Sequence, residues 1–345
     1  MTAPAPARDV NLIGLKKADY KGLPTTLCAG CGHNSISDKI VEACYDLGLR
    51  PEHVIKLSGI GCSSKSPAYF LGRSFGINTL HGRMPSVATG AFTANHHLLG
   101  VGVSGDGDTG SIGMGQFKHM VRRNVRMVYI IENNGVYGLT KGQFSATADL
   151  GQEIKHAGRN DLPPIDLCLE AIVAECGFVA RSFAGDPKHV TPLIKAALGY
   201  RGTAVLDIIS PCVTFNDTDD STKSYHWGKT HDERINDFTY VAPQEDIQVE
   251  YGPGQAIDVE MHDGSKIVLK KLDGQHDPTD RMAAIRLLEE AREKQHFITG
   301  LIYLNNERPS LAEYEKLGDT PLAFLPESKT RPSRESLEKI IAGMK

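Results

Sequence analysis

Apolar residues are concentrated in short, near-continuous runs along the first part of the chain, and each run ends at Gly, Asn or Ser-Pro. Runs of this kind are typical of strands buried on both faces, which predicts a mainly parallel sheet. Segments with helical periodicity separate the runs, so the pattern predicts an α/β fold whose sheet is flanked by helices. The predicted strands are Val54 to Ser58, Leu98 to Ser104, Arg126 to Glu132 and Ala204 to Ile209.

The first helical segment precedes these runs, and Gly48 would end it. Its predicted buried face comprises Ile36, Ile40, Cys44 and Leu47. We expect alternating β and α units with glycine-rich loops at the carboxyl ends of the strands, where ligands usually bind in such folds.

The pattern changes towards the C-terminus. Apolar and polar residues alternate on both sides of Asp263-Gly264, which predicts a β-hairpin whose alternating apolar positions are Val259, Met261, Ile267 and Leu269. Asp277 as N-cap and Pro278 at the first helical position predict a helix with an apolar face of Met282, Ile285 and Leu288. We expect three parts: an N-terminal extension (1–20), a main binding domain (21–230) and a C-terminal accessory region (231–345) that docks onto another subunit.

Composition narrows the class of protein. The chain has 345 residues, of which 40% are hydrophobic and 23% charged, as in ordinary globular proteins. Its 38 Lys and Arg against 42 Asp and Glu give a net charge of −4, so we expect no nucleic-acid partner. The N-terminus lacks an apolar core segment, and no stretch reaches the roughly 18 apolar residues of a membrane span. We therefore expect a cytoplasmic protein without membrane contact.

Oxygen ligands follow two successive predicted strands. Asp106 lies in Gly105-Asp106-Gly107, directly after one strand, and Asn133-Asn134 closes the next. If these strands are neighbours, both loops lie at one edge of the sheet. A carboxylate, an amide oxygen and a backbone carbonyl beyond Asn134 would supply half of an octahedral Mg²⁺ shell, and a bound diphosphate could supply more. The glycines would let the backbone approach phosphate closely.

Two other interpretations of this spacing exist. The loops could be ordinary Gly and Asn turns. Gly105, Gly107 and Gly110 also match the dinucleotide fingerprint, but Asp106 and Asp108 would then place carboxylates where a pyrophosphate should lie. Nicotinamide binding is therefore disfavoured.

Seven cysteines without a signal peptide favour metal or catalytic use over disulfides. Cys28 and Cys31 form a C-x-x-C turn before the first helix, a spacing suited to Zn²⁺, an iron-sulfur cluster or a redox disulfide. Cys62 and Cys212 both follow predicted strands and are the natural further ligands. His33 is an alternative ligand in a Cys₃His zinc site. The remaining cysteines belong to apolar helical patterns and are expected to be buried and inert: Cys44, Cys168 and Cys176.

Six motifs in order, over roughly residues 20 to 230, resemble the β-subunits of 2-oxoacid:ferredoxin oxidoreductases, which are thiamine-diphosphate enzymes with an iron-sulfur cluster. The motifs are CAGCGH, GIGCSSKSP, HGRMPSVATG, GDGDTGSIG, NNGVYGLTKGQ and SPCVTFN. The resemblance implies a thiamine-diphosphate-binding fold. It also implies a [4Fe-4S] cluster held by Cys28, Cys31, Cys62 and Cys212, and Mg²⁺ held by Asp106, Asn134 and the carbonyl of Val136.

The resemblance also implies positions for substrate and cofactor. The family positions near the 2-oxoacid correspond to Lys65, Leu139 and Lys141. The expected cofactor contacts are Gly61, Cys62, His81, Gly105, Asp106, Gly107, Asp108, Asn134, Val136, Gly138 and Leu139.

The activity implied by the resemblance is coenzyme A-dependent oxidative decarboxylation of a 2-oxoacid, with electrons passed to ferredoxin. The segment KSPAYFLGR and the long C-terminal region resemble 2-oxoglutarate enzymes more than pyruvate enzymes. The implied partner is an α-subunit that carries the pyrimidine-binding half of the site, in an (αβ)₂ heterotetramer. Alternatives are a pyruvate-specific β-subunit, a non-oxidative thiamine enzyme, and a zinc-stabilised binding module without catalysis.

Overall fold

A central sheet of eight strands organises the computed structural model, which describes residues 10–219, 221–241, 252, 254–260, 266–270 and 276–344. Shorter ribbons lie outside this sheet. The strands are β1 Val54–Ser58, β2 Phe75–Asn78, β3 Leu99–Gly105, β4 Met127–Asn133, β5 Val136–Tyr137, β6 Gln143–Phe144, β7 Glu153–Ile154, β8 Gly158–Arg159, β9 Phe178–Phe183, β10 Thr203–Ile209, β11 Asp232–Arg234, β12 Asp237–Val241, β13 Ala256–Glu260, β14 Lys266–Lys270 and β15 Phe297–Leu304.

The order of strands in the sheet is β11-β15-β9-β10-β4-β3-β1-β2. Its pairs are parallel except for β15 with β9, which confirms the predicted mainly parallel sheet. The first predicted strand has the predicted bounds, and the other three differ by one residue at one or both ends. The β4 and β10 strands are buried along their whole length, as expected for their near-continuous apolar runs.

Helices cover both faces of the sheet. On one face, α1 and α5 pack together over a core that includes Ile36, Ile40 and Leu193. On the other, α2, α3, α4 and α7 pack over Met84, Phe117 and Leu288, among other residues. The helices are α1 Gly32–Asp46, α2 Met84–Ala94, α3 Met114–Arg123, α4 Leu167–Val173, α5 Pro187–Gly199, α6 Tyr225–Thr230, α7 Arg281–Lys294, α8 Leu311–Tyr314, α9 Glu327–Thr330 and α10 Arg334–Ala342.

The predicted first helix is confirmed. Ile36, Ile40 and Cys44 are fully buried on one face of α1, and Leu47 at its C-cap packs partly against the same core. Gly48 follows with a φ of +62°, a conformation that favours glycine and ends the helix. Its N-cap is Cys31, so this cysteine lies at the positive end of a 15-residue helix dipole.

The C-terminal hairpin is confirmed as an antiparallel pair of β13 with β14, in which Val259 lies opposite Ile267. Met261 and the turn at Asp263-Gly264 lie outside the described residues. Beyond the hairpin, α7 packs onto the central sheet and β15 joins it as a strand. The domain boundary at residue 230 stays a prediction. Two strands of the predicted accessory region, β11 and β15, complete the main sheet.

The start of α7 was predicted wrongly. Its N-cap is Asp280, whose side chain accepts a hydrogen bond from the Ala283 N–H at 2.9 Å. Asp277 instead accepts from the Thr279 N–H at 2.9 Å, which stabilises the turn before the helix. Of the predicted apolar face, Leu288 is buried and Ile285 packs partly against the same core, but Met282 is 54% exposed. None of the helices within the described residues combines the length and apolar character needed to span a membrane.

Candidate active site

The loops that carry the predicted site residues follow four neighbouring parallel strands. β10, β4, β3 and β1 are adjacent in that order, so their carboxyl ends meet at one edge of the sheet. The loops after them contain Cys212, Asn134, Asp106 and Cys62, respectively. The parallel arrangement therefore brings together residues that are distant in sequence.

Asp106 is the most heavily hydrogen-bonded group at this edge and is only 1% exposed. Its carboxylate accepts from the backbone N–H groups of Asn134 (3.3 Å) and Gly135 (3.2 Å). The hydroxyls of Thr147 (2.6 Å) and Ser145 donate to it as well. Burial raises the pKa of Asp106 while these donors lower it. A bound divalent cation would stabilise the ionised form.

Asn134 and Val136 lie in the loop after β4, and the backbone of this loop contacts Asp106 from the neighbouring loop. The Asn134 side-chain oxygen accepts from the Val136 N–H at 3.1 Å, which closes a tight turn. The Asn134 carbonyl accepts from the side chain of Asn216 at 2.7 Å. Among the described residues, the buried Oδ1 of Asn216 has no hydrogen-bond partner. A carboxylate, an amide oxygen and an orphaned buried oxygen beside them fit a hard cation.

Asp108 contacts the adjoining loop, which contains His81 and Gly82. Its carboxylate accepts from the Gly82 N–H at 2.8 Å and from the Ser104 hydroxyl at 2.7 Å, and it lies against the Nδ1 atom of His81. A Cβ on Gly59 would lie 1.7 Å from the Asp108 carboxylate, so only glycine fits there. Asp108 thus fixes the turn that presents His81, which is about one third exposed at the site edge.

Gly107 and Gly138 allow close approaches within the site. A Cβ on Gly107 would lie 2.4 Å from the Tyr137 ring, and the Tyr137 hydroxyl donates to the Gly107 carbonyl at 3.0 Å. A Cβ on Gly138 would lie 3.4 Å from the Cys62 sulfur and 3.8 Å from the Cys212 sulfur. Gly138 comes two residues after Val136, so the loop that contains Asn134 and Val136 continues directly to the cysteines.

The four predicted ligand cysteines are free and cluster outside the sheet edge. Burial, with smaller contributions from the charges of Glu132, Cys212 and Cys62, raises the pKa of Cys31 to about 12. Burial also raises the pKa of Cys62 and Cys212, whereas backbone N–H groups after Cys212 lower its value. Cys28 is exposed and accepts a contact from the Thr214 hydroxyl at 3.9 Å.

A Zn²⁺ ion takes its ligands around one point, whereas a [4Fe-4S] cluster takes four thiolates around a larger group. Within the part of the chain that the structure describes, no three Cys, His, Asp or Glu side chains are arranged to hold a single metal ion.

The other cysteines are buried, as predicted. Cys44, Cys168 and Cys176 are 0% exposed. The prediction that Cys176 lies on a helix is wrong, because α4 ends at Val173 and Glu175, with a φ of +66°, turns the chain away. The Cys176 thiol instead contacts the carbonyls of Phe178 and Thr203, each at 3.2 Å.

His33 turns inward, away from the role of a zinc ligand. Its Nδ1 is 2.6 Å from the Ser210 hydroxyl and 3.6 Å from a carboxylate oxygen of Glu132. Burial lowers the pKa of His33 to about 4 and raises that of Glu132 well above its ordinary value. Ser66 donates to both Glu132 oxygens at 3.0 Å. The sequence analysis considered His33 only as a zinc ligand, and no periodic pattern or known spacing marks Glu132, Ser66 or Ser210.

The residues expected near the 2-oxoacid lie on exposed or half-buried loop surface. Leu139 is 48% exposed, and the neighbouring Lys141 is exposed with a φ of +75°. Lys65 is half-buried and lines a cleft of about 610 Å³ together with Thr26, Ser64 and Asn78. Lys65 also lowers the pKa of Cys62, so its ammonium lies near that thiol. Gly61, with a φ of +127°, turns the chain into Cys62.

Family models match two parts of the chain. Residues 59–208 match the model described as the thiamine pyrophosphate enzyme C-terminal TPP-binding domain. Residues 266–317 match the model described as the C-terminal part of the pyruvate ferredoxin oxidoreductase β-subunit. The fold and the match over residues 59–208 therefore define a thiamine-diphosphate-binding domain.

Relatives narrow the class further. The chain is 43% identical to the 2-oxoacid:ferredoxin oxidoreductase subunit beta of Saccharolobus solfataricus over 203 aligned residues. The alignment covers 58% of this chain and 65% of that subunit. It is 36% identical to the 2-oxoglutarate synthase subunit KorB of Methanocaldococcus jannaschii, over 58% of this chain and 74% of that one. The chain belongs to the family of 2-oxoacid:ferredoxin oxidoreductase β-subunits. The match thus spans about two thirds of the length of the Saccharolobus subunit.

A solved structure agrees over nearly the whole chain. The 2-oxoglutarate:ferredoxin oxidoreductase from Magnetococcus marinus, described with 2-oxoglutarate, coenzyme A and succinyl-CoA bound, superposes with a TM-score of 0.72. It is 32% identical, and the superposition covers 96% of each chain. The fold therefore extends through the C-terminal region, for which the motifs offered no guide.

Proposed function

We propose that this chain is the β-subunit of a 2-oxoglutarate:ferredoxin oxidoreductase that converts 2-oxoglutarate and coenzyme A to succinyl-CoA and CO₂. The two electrons released would leave one at a time to ferredoxin. One observation carries the proposal. The loop that contains Asn134 and Val136, the proposed metal loop, leads within two residues to Gly138, against which both the Cys62 and Cys212 thiols lie. A diphosphate site and a thiolate cluster site are thus direct neighbours.

The residues present fit the two groups that the proposal requires. Asp106, Asn134 and the Val136 carbonyl would hold Mg²⁺, and Gly105, Gly107 and His81 would line the diphosphate. Thiamine diphosphate, when bound, supplies a nucleophilic carbon and an electron sink. Cys28, Cys31, Cys62 and Cys212 would hold the [4Fe-4S] cluster, whose type spans the low potentials that ferredoxin reduction needs. The iron charge would lower the pKa values that burial raises at these thiols.

The cysteines favour this function over its alternatives. A non-oxidative thiamine enzyme has no need of four free cysteines at the same sheet edge. A zinc-stabilised module would bring three or four ligands around one point, which the described residues do not do. The partner would be an α-subunit that supplies the pyrimidine-binding half of the site in an (αβ)₂ assembly.

The choice of 2-oxoglutarate over pyruvate is supported by relatives named for 2-oxoglutarate and by the Magnetococcus enzyme. Anaerobic co-purification with the partner chain, followed by assay of a 2-oxoacid panel with coenzyme A and ferredoxin, tests it. We expect the highest kcat/KM with 2-oxoglutarate and no activity from this chain alone, since half of the cofactor site would be missing. Robust activity of the isolated chain, or a preference for pyruvate, would contradict the proposal.

Lys65 provides a test of substrate recognition. We propose that its ammonium binds the distal carboxylate of the 2-oxoacid, because it lines the cleft near the Cys62 thiol. A charged hydrogen bond contributes about 1.5–3 kcal/mol, so Lys65→Met should raise KM for 2-oxoglutarate by roughly 10- to 100-fold. Pyruvate, which lacks the distal carboxylate, is the matched control, and its KM should change little. Equal effects on both substrates would contradict this role.

A further inference from the structure

A buried polar network joins the segments that carry the proposed cluster ligands. His33 follows Cys31 by two residues, Ser66 follows Cys62 by four, and Ser210 precedes Cys212 by two. Each sends its side chain beneath the sheet edge towards Glu132, or towards a neighbour that contacts it. Glu132 itself lies at the end of β4, two residues before Asn134.

The contacts form one connected chain. The Ser66 hydroxyl donates to both Glu132 oxygens at 3.0 Å. The His33 ring nitrogen lies 3.6 Å from Glu132 and 2.6 Å from the Ser210 hydroxyl. The Ser210 N–H donates to the Asn133 carbonyl at 2.7 Å, which ties the Cys212 segment back to β4.

Burial makes this arrangement specific. The four side chains are at most 1% exposed, so none can exchange a lost partner for bulk water. A buried polar group without a partner is costly, so the Ser66–Glu132 and His33–Ser210 hydrogen bonds favour one relative placement of their segments. By contrast, the outer parts of the same loops are open: Cys28 is exposed and Val213 is 39% exposed. The inner network supplies the fixation that the outer surface lacks.

We infer that the His33–Ser210–Glu132–Ser66 network is a positioning device that holds three cysteine-bearing segments at the separation the cluster requires. This inference rests on the proposed assignment of the four cysteines as cluster ligands. The four residues touch neither substrate nor cofactor in this role and act through the cysteines. Groups that orient metal ligands typically change metal affinity by about 10- to 100-fold when removed.

The test uses the anaerobically reconstituted chain with Ser66→Ala, Ser210→Ala, Glu132→Leu and Glu132→Gln. The matched control is Ser182→Ala, because Ser182 is also buried and lies 2.9 Å from the ring nitrogen of another buried histidine, His189, on β9 and α5. The readouts are iron per chain, the chelator concentration that removes half of the iron, the spectrum of the reduced cluster by electron paramagnetic resonance, and the melting temperature of the iron-free chain.

We expect Ser66→Ala, Ser210→Ala and Glu132→Leu to lose iron to about tenfold less chelator and to alter the spectrum of the reduced cluster. Glu132→Gln, which keeps an acceptor for Ser66, should recover most of the resistance. Ser182→Ala should lower the melting temperature without changing chelator resistance or spectrum. If the network variants match Ser182→Ala in every readout, the inference is overturned while the cluster assignment stands. If the unmodified chain takes up no iron, the cluster assignment itself fails, and the inference with it.

Discussion

Replacing Cys62 or Cys212 by Ala is expected to remove the iron and the visible absorbance of the anaerobically purified protein. Both sulfurs lie against Gly138, and each thiolate is one of the four proposed ligands of the cluster. Cys28→Ala and Cys31→Ala should have the same effect, because each removes one of four ligands. Ala is the sharper substitution, since a Ser oxygen can partly replace a thiolate.

Three other cysteines provide matched controls in the same chain. Cys44→Ala, Cys168→Ala and Cys176→Ala remove thiols that are 0% exposed in apolar cores. They should retain their full iron and sulfide and lose about 1 kcal/mol of unfolding free energy to a small cavity. Iron retained in Cys212→Ala but lost in Cys44→Ala would show that the ligand assignment is wrong.

Asp106→Ala should abolish Mg²⁺-dependent binding of thiamine diphosphate, weakening it by roughly 100-fold or more. A diphosphate carries too much negative charge to bind there without its cation. The substitution also frees the backbone N–H groups of Asn134 and Gly135, which Asp106 now holds. Calorimetry with and without Mg²⁺ measures the effect.

The control for Asp106→Ala is internal. The cluster loops are fixed by separate contacts, so the variant should keep its iron content while losing the cofactor. Asp106→Asn, which keeps the size of the side chain but not its charge, should also bind the cofactor weakly. Unchanged cofactor affinity in both variants would contradict the assignment of the metal loop.

Local pattern was sufficient to predict much of the sheet. The near-continuous apolar runs of β1, β3, β4 and β10 predict strands buried on both faces, and a parallel order then places Asp106 beside Asn134. The prediction succeeded because each step depends on neighbours in sequence and on one general rule of parallel sheets.

Other features depend on contacts that local pattern does not encode. Asp277 and Asp280 are both capable N-caps by residue type, but the Asp280 side chain accepts from the Ala283 N–H whereas that of Asp277 accepts from the Thr279 N–H. Ser145 and Thr147 donate to Asp106 from a loop about 40 residues away, with no periodicity to mark them. β15 joins β9 as an antiparallel strand after a long excursion, which only the tertiary fold specifies.

Glu132 shows the same limit at the site. In sequence it is the polar end of an apolar strand, which is compatible with an ordinary strand terminus. Its function follows only from Ser66 and His33, which approach it from segments far apart in the chain. The motifs therefore suggested the candidate ligands, whereas the contacts of the groups that we propose to position them required the structure.

The central claim is that the thiamine site and the cysteine cluster form one electron path. The most direct measurement adds 2-oxoglutarate and coenzyme A, without ferredoxin, to the anaerobic complex with its partner chain and follows the visible absorbance of the cluster. We expect bleaching within a turnover, and none in the Asp106→Ala complex that retains its iron. Full iron content with absorbance unchanged by substrate in the unmodified complex would contradict the account.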